Sequence, residues 1–321
     1  MAFPNVSDIV ATTIESRSKK IADNVSKNAA LLAKLNGRGN VKPVSGGSVI
    51  FQELSFAENA NVGWYSGYDL LPTAVQDVLS AAQYDFKQAA CPVVVSGLEQ
   101  LQNAGREQMI DLVDGRVGVA EDTMMNLLTV GLYSDGTAAS GKQLTGLAAA
   151  IAITPTSGTY GAIDRAAYPF WQNKVTTAGS ALTASTIQGA MNTMWASLVR
   201  GTDRPDLISA DNIMWSLYMA SLQAAQRFTD PNSAMLGFPS IKFMDADVVL
   251  DGGQGGAINS KTMLFINTKY LFLRPHRERN MVPLSPNKRY ATNQDAEVTI
   301  LAWAGNLTTS NCSLQGRLIT P

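Results

Sequence analysis

The residue in this chain best suited to acid–base chemistry is His276, the single histidine among 321 residues. A Ser-His-Asp or Cys-His relay would have to run through it. It sits in Arg274-Pro-His-Arg-Glu-Arg279, where neighbouring guanidinium groups disfavour the imidazolium that a general base must become. That context predicts a surface side chain. Gly252-Gly-Gln-Gly-Gly256 has the glycine content of a phosphate-binding loop but not the G-x-x-x-x-G-K-[ST] order. A strand, not a helix N-terminus, is expected after it, so it predicts a flexible turn. Asp111 with Asp114, and Glu121 with Asp122, are paired carboxylates of the kind that hydrolyse glycosides or hold a hard cation. They alternate with apolar residues at helical spacing and read as a solvated or ion-paired helix face. Cys91 and Cys312 are too few for a zinc site or a disulfide scaffold. Two reduced, partly buried thiols fit folding in a cytosol. No catalytic, cofactor-binding or metal-binding constellation emerges, and the expectation is a protein that is not an enzyme. A hydrolase using His276 is the alternative from that class.

The elements around these residues are more telling. From about Leu98 to Tyr133 the apolar residues fall at helical spacing, including Leu98, Leu101, Leu112, Ala120, Met124, Leu128 and Leu132. An unbroken helix of that reach is roughly 50 Å long at 1.5 Å per residue. It stops at Tyr133-Ser-Asp-Gly-Thr137, where Gly136 supplies the left-handed conformation of a helix exit. Such a helix is hard to bury in one domain and suggests a spine that organises neighbouring chains. Before it, Ser48 to Phe56 and Ala82 to Gln88 read as two strands. Between them lies Ala57 to Asp77, holding Trp64, Tyr65 and Tyr68 with little local core to cover them. A tip this long is unusual in a compact domain, and another subunit is a plausible cover.

Val6 to about Leu35 carries a thin helical stripe that ends at Asn36-Gly-Arg-Gly-Asn40, the pattern of an arm packing against something else. After the spine, Gly146 to Ile153 reads as a strand, Thr183 to Val199 as a helix and Asp206 to Ala210 as a buried strand. A helix is expected over 212–228. Strands are expected over 243–250, 262–272, 290–301 and 313–319. Strands and helices do not alternate regularly, so the class is α+β.

Apolar residues are 45% and charged residues 16%, with a net charge of −1, which suits a chain that associates with copies of itself. Charge is placed unevenly. Met1 to Ser45 carries seven Lys/Arg against three Asp/Glu, Gly46 to Gly136 three against twelve, and Arg274 to Arg289 five against one. The acidic hairpin and helix could therefore pair with basic segments, within the chain or between subunits. The N-terminus lacks a signal-peptide pattern, and the longest apolar run, Leu147 to Ile153, is too short for a bilayer. No membrane association is expected.

Together these features resemble the major capsid proteins of tailed bacteriophages. Leu127-Leu-Thr-Val-Gly-Leu-Tyr-Ser-Asp-Gly-Thr137 with Leu144-Thr-Gly-Leu147 is similar to that family's helix-end "GDGT…LxGL" signature. Leu236-Gly-Phe-Pro239 resembles its "GxP" turn, and Tyr160-Gly-Ala-Ile-Asp-Arg165 with Phe170-Trp-Gln-Asn173 looks like a segment of one subgroup. The resemblance implies an N-terminal arm (1–45), an E-loop hairpin (46–90), a P-domain with the spine helix (91–153 and 264–309) and an A-domain (154–263 and 310–321). It implies a shell subunit forming hexamers and pentamers, assembled in the host bacterial cytoplasm and located in the virion capsid. Scaffold, portal and cement proteins and non-specifically packaged DNA would be its partners. Trp64, Tyr65, Tyr68, Arg38, Arg274, Arg277 and Arg279 are the candidate subunit-interface residues. Some relatives cross-link through an E-loop lysine, whereas residues 57–77 contain none, so a non-covalent shell is expected. A bacterial nanocompartment shell, which resembles the same fold, is the nearest alternative.

Overall fold

The computed structural model describes residues 30–102, 112–222, 240–251, 258–284, 289–290 and 295–321. The first 29 residues of the arm, Asp111, the 236–239 turn and the 252–256 glycine run lie outside them.

Two strands open the described chain. β1 (Val49–Ser55) and β2 (Leu79–Asp85) pair antiparallel, with Val49 opposite Asp85 and Ser55 opposite Leu79. Ile50, Gln52 and Leu54 are buried while Phe51, Glu53 and Ser55 face outward, the two-residue alternation of a half-covered sheet. β3 (Lys87–Ser96) follows after Phe86 and leaves the hairpin. It runs on to Ser96, beyond the strand expected over Ala82 to Gln88, which is β2. Pro92 lies within it, opposite Ile300. Proline has no N–H to donate and is tolerated because β3, among the described residues, lies at the sheet's edge and pairs only with β13.

α1 (Ala30–Gly37) precedes the hairpin. α2 (Gly97–Gln102) and α3 (Leu112–Tyr133) follow it. Residues 103–111 of the expected long helix are outside the described residues, and α3 alone, at 22 residues, is about 33 Å long. Ala120, Met124, Leu128 and Leu132 are buried at four-residue spacing, which lays one stripe of α3 over β3. Arg116 of α3 pairs with Glu99 of α2 at 2.7 Å and donates to the Val94 carbonyl.

The expected strand over 146–153 is a short helix instead, α4 (Leu147–Ala150). The N–H groups of Ala149 and Ala150 both donate to the Gly146 carbonyl at 3.2 Å, and alanines favour the turn. Gly146 is fixed by a close approach. A Cβ there would run into the carbonyl oxygens of Gly131 and Leu132, so the Leu144-Thr-Gly-Leu147 motif lets the returning chain lie against the end of α3. Ser134 donates to the Leu144 carbonyl at 2.6 Å, Asn306 accepts from Thr145 N–H at 3.0 Å, and Gly136 exits at φ 79°.

β4 (Thr159–Tyr160) and β5 (Ile163–Asp164) form a small hairpin. The remaining strands are β6 (Lys174–Thr177), β7 (Leu207–Ala210), β8 (Ser240–Phe243), β9 (Ala246–Leu250), β10 (Thr262–Ile266), β11 (Leu271–Pro283), β12 (Arg289–Tyr290), β13 (Ala296–Thr309) and β14 (Gly316–Ile319). Six of them form a sheet in the order β6-β14-β10-β7-β9-β8. Two regions expected as single strands are each broken. Met244, at φ 52°, turns β8 into β9, and a 3-10 turn over Thr268–Tyr270 separates β10 from β11. α5 (Ile187–Leu198) and α6 (Asn212–Ser221) cover this sheet. Asp211 caps α6, accepting from Met214 N–H at 2.8 Å.

The second sheet joins β11, β13 and β12, with β3 on β13's other side. The chain from Asn40 to Val44 runs parallel along β11. Lys42 N–H donates to the Leu273 carbonyl at 2.9 Å and Val44 N–H to the Pro275 carbonyl at 2.8 Å.

Two apolar cores result. One gathers Leu31, Leu35, Ile50, Tyr84, Met124, Leu147, Trp171, Trp303 and Leu307 under the hairpin and α3. The other packs Ile187, Met194, Ile208, Met214, Tyr218, Val248 and Phe265 between the six-stranded sheet and its helices.

Candidate assembly surface

The connection from β1 to β2 is built to hold a shape, yet it buries little. Phe56 N–H donates to the Val78 carbonyl at 3.1 Å and closes its base. Asn59 accepts from Asn61 N–H at 2.9 Å, and Asp69 accepts from Ser66 N–H at 2.8 Å, two local side-chain turns. The Asn61 amide spans the loop to the Ala74 carbonyl at 2.5 Å. Gly67, at φ 51°, supplies a left-handed turn between Tyr65 and Tyr68.

The apolar side chains of this loop point outward. Trp64 and Tyr68 are fully exposed, and Tyr65 is 67% exposed. Val62, Leu70, Leu71 and Val75 are exposed beside them. These aliphatics share the unpatterned stretch with the three aromatics, and no spacing signal singles them out. α3 adds a smaller outward set, with Val119 and Leu127 half or more exposed. Leu127 was readable only as part of the apolar stripe, because helical spacing does not say which side of a wide stripe is covered. Contiguous apolar exposure on this scale is uncommon on a monomeric soluble protein.

The loop's base is anchored firmly. Phe56 stacks on Phe170 with centroids 5.5 Å apart. The Tyr84 hydroxyl donates to the Thr309 carbonyl at 3.2 Å, and Tyr84 meets Tyr160 edge-on at 5.4 Å. Burial raises the pKa of the Tyr84 hydroxyl well above the usual phenol value. The Gln52 amide oxygen accepts from Arg274 at 2.9 Å and from Thr308 at 3.1 Å.

The candidate arginines divide. Arg274 is half-buried within its own chain, over the Phe272 ring at 5.3 Å, and desolvation lowers its pKa. Arg38 pairs with Asp206 at 3.4 Å, beside a Lys34–Asp247 pair at 2.6 Å. Lys34 and Arg38 therefore meet, within the chain, Asp247 of β9 and Asp206 just before β7 instead of the acidic hairpin. Arg277 and Arg279 are exposed, and Arg279 donates to Gln88 at 3.3 Å. Among the described residues these arginines meet Gln52, Asp206 and Gln88, all away from the aromatic tip.

His276 is half-buried and meets the Phe86 ring at 5.9 Å, and its Nδ1 accepts from Glu278 N–H at 3.2 Å. It is thus more covered than the surface position its basic neighbours suggest, because β11 turns it toward Phe86. Cys312 is buried and Cys91 partly so, both as free thiols. Burial pushes the Cys312 thiol up to about 12, despite Arg165 nearby. Among the described residues no three His, Cys, Asp or Glu side chains converge as a metal site, and no helix is long and apolar enough to cross a membrane.

No protein-family profile matches the chain, and no curated protein sequence does. Solved structures do. The chain is similar to the cyanophage A-1(L) capsid subunit, with a TM-score of 0.63 at 15% identity over 87% of this chain and 90% of that one. It is similar to the capsid protein of the native GTA particle, with a TM-score of 0.61 at 11% identity over 92% and 91%. The encapsulin of Synechococcus elongatus PCC 7942 matches with a TM-score of 0.51 at 8% identity over 99% and 96%. A protruding hairpin, a helix laid across an edge strand and a separate six-stranded sheet, matched over nearly the whole chain, give this protein the fold of tailed-phage major capsid proteins.

Proposed function

We propose that this chain is the major capsid protein of a tailed bacteriophage, assembling into an icosahedral shell around double-stranded DNA. The observation that carries this reading is the β1–β2 loop, whose Trp64, Tyr65 and Tyr68 lie uncovered on a firmly anchored base. Full burial of such rings contributes about 1–3 kcal/mol each, enough to favour association when repeated around a ring of subunits. In this reading residues 1–45 are the arm, 46–90 the E-loop, 91–153 and 264–309 the P-domain, and 154–263 and 310–321 the A-domain. The bound at 263/264 falls within β10. Exposed Arg277 and Arg279 guide register more than they supply energy, since exposed ion pairs contribute about 0–1 kcal/mol.

The shell is non-covalent, with no lysine in 57–77 to form an isopeptide. Boiled particles should run as a single 34.3 kDa band, and a ladder of covalent oligomers would contradict this. Scaffold, portal and cement proteins are its partners, and DNA contact is sequence-independent. The reading assigns no catalytic role to His276, so His276→Ala leaves assembly intact.

Size-exclusion chromatography with negative-stain microscopy of the purified protein tests the proposal. Hollow shells, or rings of five or six subunits, support it; a 34.3 kDa monomer under assembly-promoting salt, with or without scaffold, overturns it. The encapsulin likeness makes an enzyme-filled compartment the second reading. Shells that package a co-expressed cargo enzyme and no DNA would favour that one.

A further inference from the structure

Arg317 lies in β14, between β10 and β6, and is 3% exposed. Its Nη1 donates to the Ile151 carbonyl at 3.3 Å, and among the described residues its Nε has no partner. No carboxylate among the described residues pairs with it. An arginine has five donors in a fixed fork, and a buried cation left so poorly satisfied is costly. The side chain does not face closed protein. It lines a cleft of about 380 Å³ where the end of α3 meets the six-stranded sheet, with Val130, Tyr133, Ser134, Asp135 and Asn259 as further walls.

The walls constrain what could enter. Tyr133 shares its hydroxyl with Ser209 at 3.2 Å, and burial together with the nearby Asp251 charge raises its pKa well above the usual phenol value. Exposed Asp135 stands at the rim, its carboxylate accepting from the backbone N–H and hydroxyl of Thr137 at 3.0 and 2.8 Å. Those bonds hold it ionised. A multiply charged anion would be repelled by it, whereas a single carboxylate matches the one guanidinium and its planar fork.

We propose that this cleft binds a singly charged carboxylate on the Arg317 guanidinium. The group is either a free small carboxylate or an Asp or Glu side chain of a second copy of the chain. Acetate is the probe, titrated into the purified, unassembled full chain at ionic strength held constant with sodium chloride. The thermal unfolding midpoint should rise by a few degrees and saturate, as linkage to a native-state site requires. Methyl acetate, of similar shape without the charge, should leave it unchanged. Arg317→Met and Arg317→Gln should abolish the acetate shift. Arg317→Met should also fold, with a midpoint at or above the parent's in chloride alone, because an apolar isostere relieves a buried unpaired charge.

An equal response to acetate and chloride, or an acetate shift that survives in Arg317→Met, overturns the proposal. Assembled particles separate the two sources. Loss of the acetate response on assembly means that a neighbouring copy's carboxylate fills the cleft, and an unchanged response means that free carboxylates are the ligand. The unassembled arm does not depend on the capsid reading, so either can fail without the other.

Discussion

The β1–β2 loop and the six-stranded sheet use the same kinds of residue to opposite ends. In the sheet core, Trp195 and Tyr218 each meet Phe243 edge-on, and Phe265 is wholly buried. In the loop, Trp64 and Tyr68 are wholly exposed. One region spends its aromatic surface on its own stability. The other leaves it uncovered, and its conformation is held by hydrogen bonds at Asn59, Asn61 and Asp69. Composition cannot separate the two. Coverage can.

Truncating each region tests that contrast. The largest effect on the isolated chain is expected from Phe265→Ala, about 3–5 kcal/mol lost in chemical denaturation. Gly146→Ala comes next, at about 1–3 kcal/mol, because its Cβ meets the Gly131 and Leu132 carbonyls. A Trp64→Ser, Tyr65→Ser, Tyr68→Ser triple variant should denature within about 0.5 kcal/mol of the parent, yet fail to form shells by negative-stain microscopy. Unfolding of that variant in isolation would show that the tip covers its own chain and would erase the contrast.

Alkaline pH sharpens the same comparison from the buried side. The Cys312 thiol is raised from 9.0 to about 12 by burial, so the folded state holds a proton that the unfolded chain releases. Its contribution is complete below about pH 9 and declines as pH rises toward 12, at about 1.4 kcal/mol per unit. Cys312→Ala should flatten that slope in pH-dependent denaturation, whereas the loop triple variant should keep it. The smallest effect is expected at the arm: Arg38→Ala should cost no more than about 1 kcal/mol, and less in high salt.

Much of this was legible in advance, and the misses have physical causes. Helical spacing placed α3 and α5, and the stranded aromatics marked the loop, because each signal is local. The strand expected over Ala82 to Gln88 is β2, and β3 after it, which carries Pro92 at the sheet edge, leaves no local alternation to read. Gly146 looked like part of a strand because its true constraint, the carbonyls at the end of α3, is a tertiary contact. Within the chain the arm's charges do not meet the acidic hairpin: Lys34 and Arg38 reach Asp247 and Asp206. Partners more than 160 residues away leave no mark in local charge counts. Arg317 was invisible for the same reason, since burial without a counter-ion is a property of the fold.

The pairing of β3 with β13 also sets a schedule for synthesis. Ser96 finds Ala296, and the Tyr84 hydroxyl finds Thr309, so the hairpin leaves the ribosome long before the strand that anchors it exists. At about 5–20 residues per second, the intervening stretch of roughly 200 residues takes about 10–40 s to make. Throughout that interval the exposed aromatic tip is carried on a hairpin whose anchoring strand does not yet exist. Slower translation lengthens that interval.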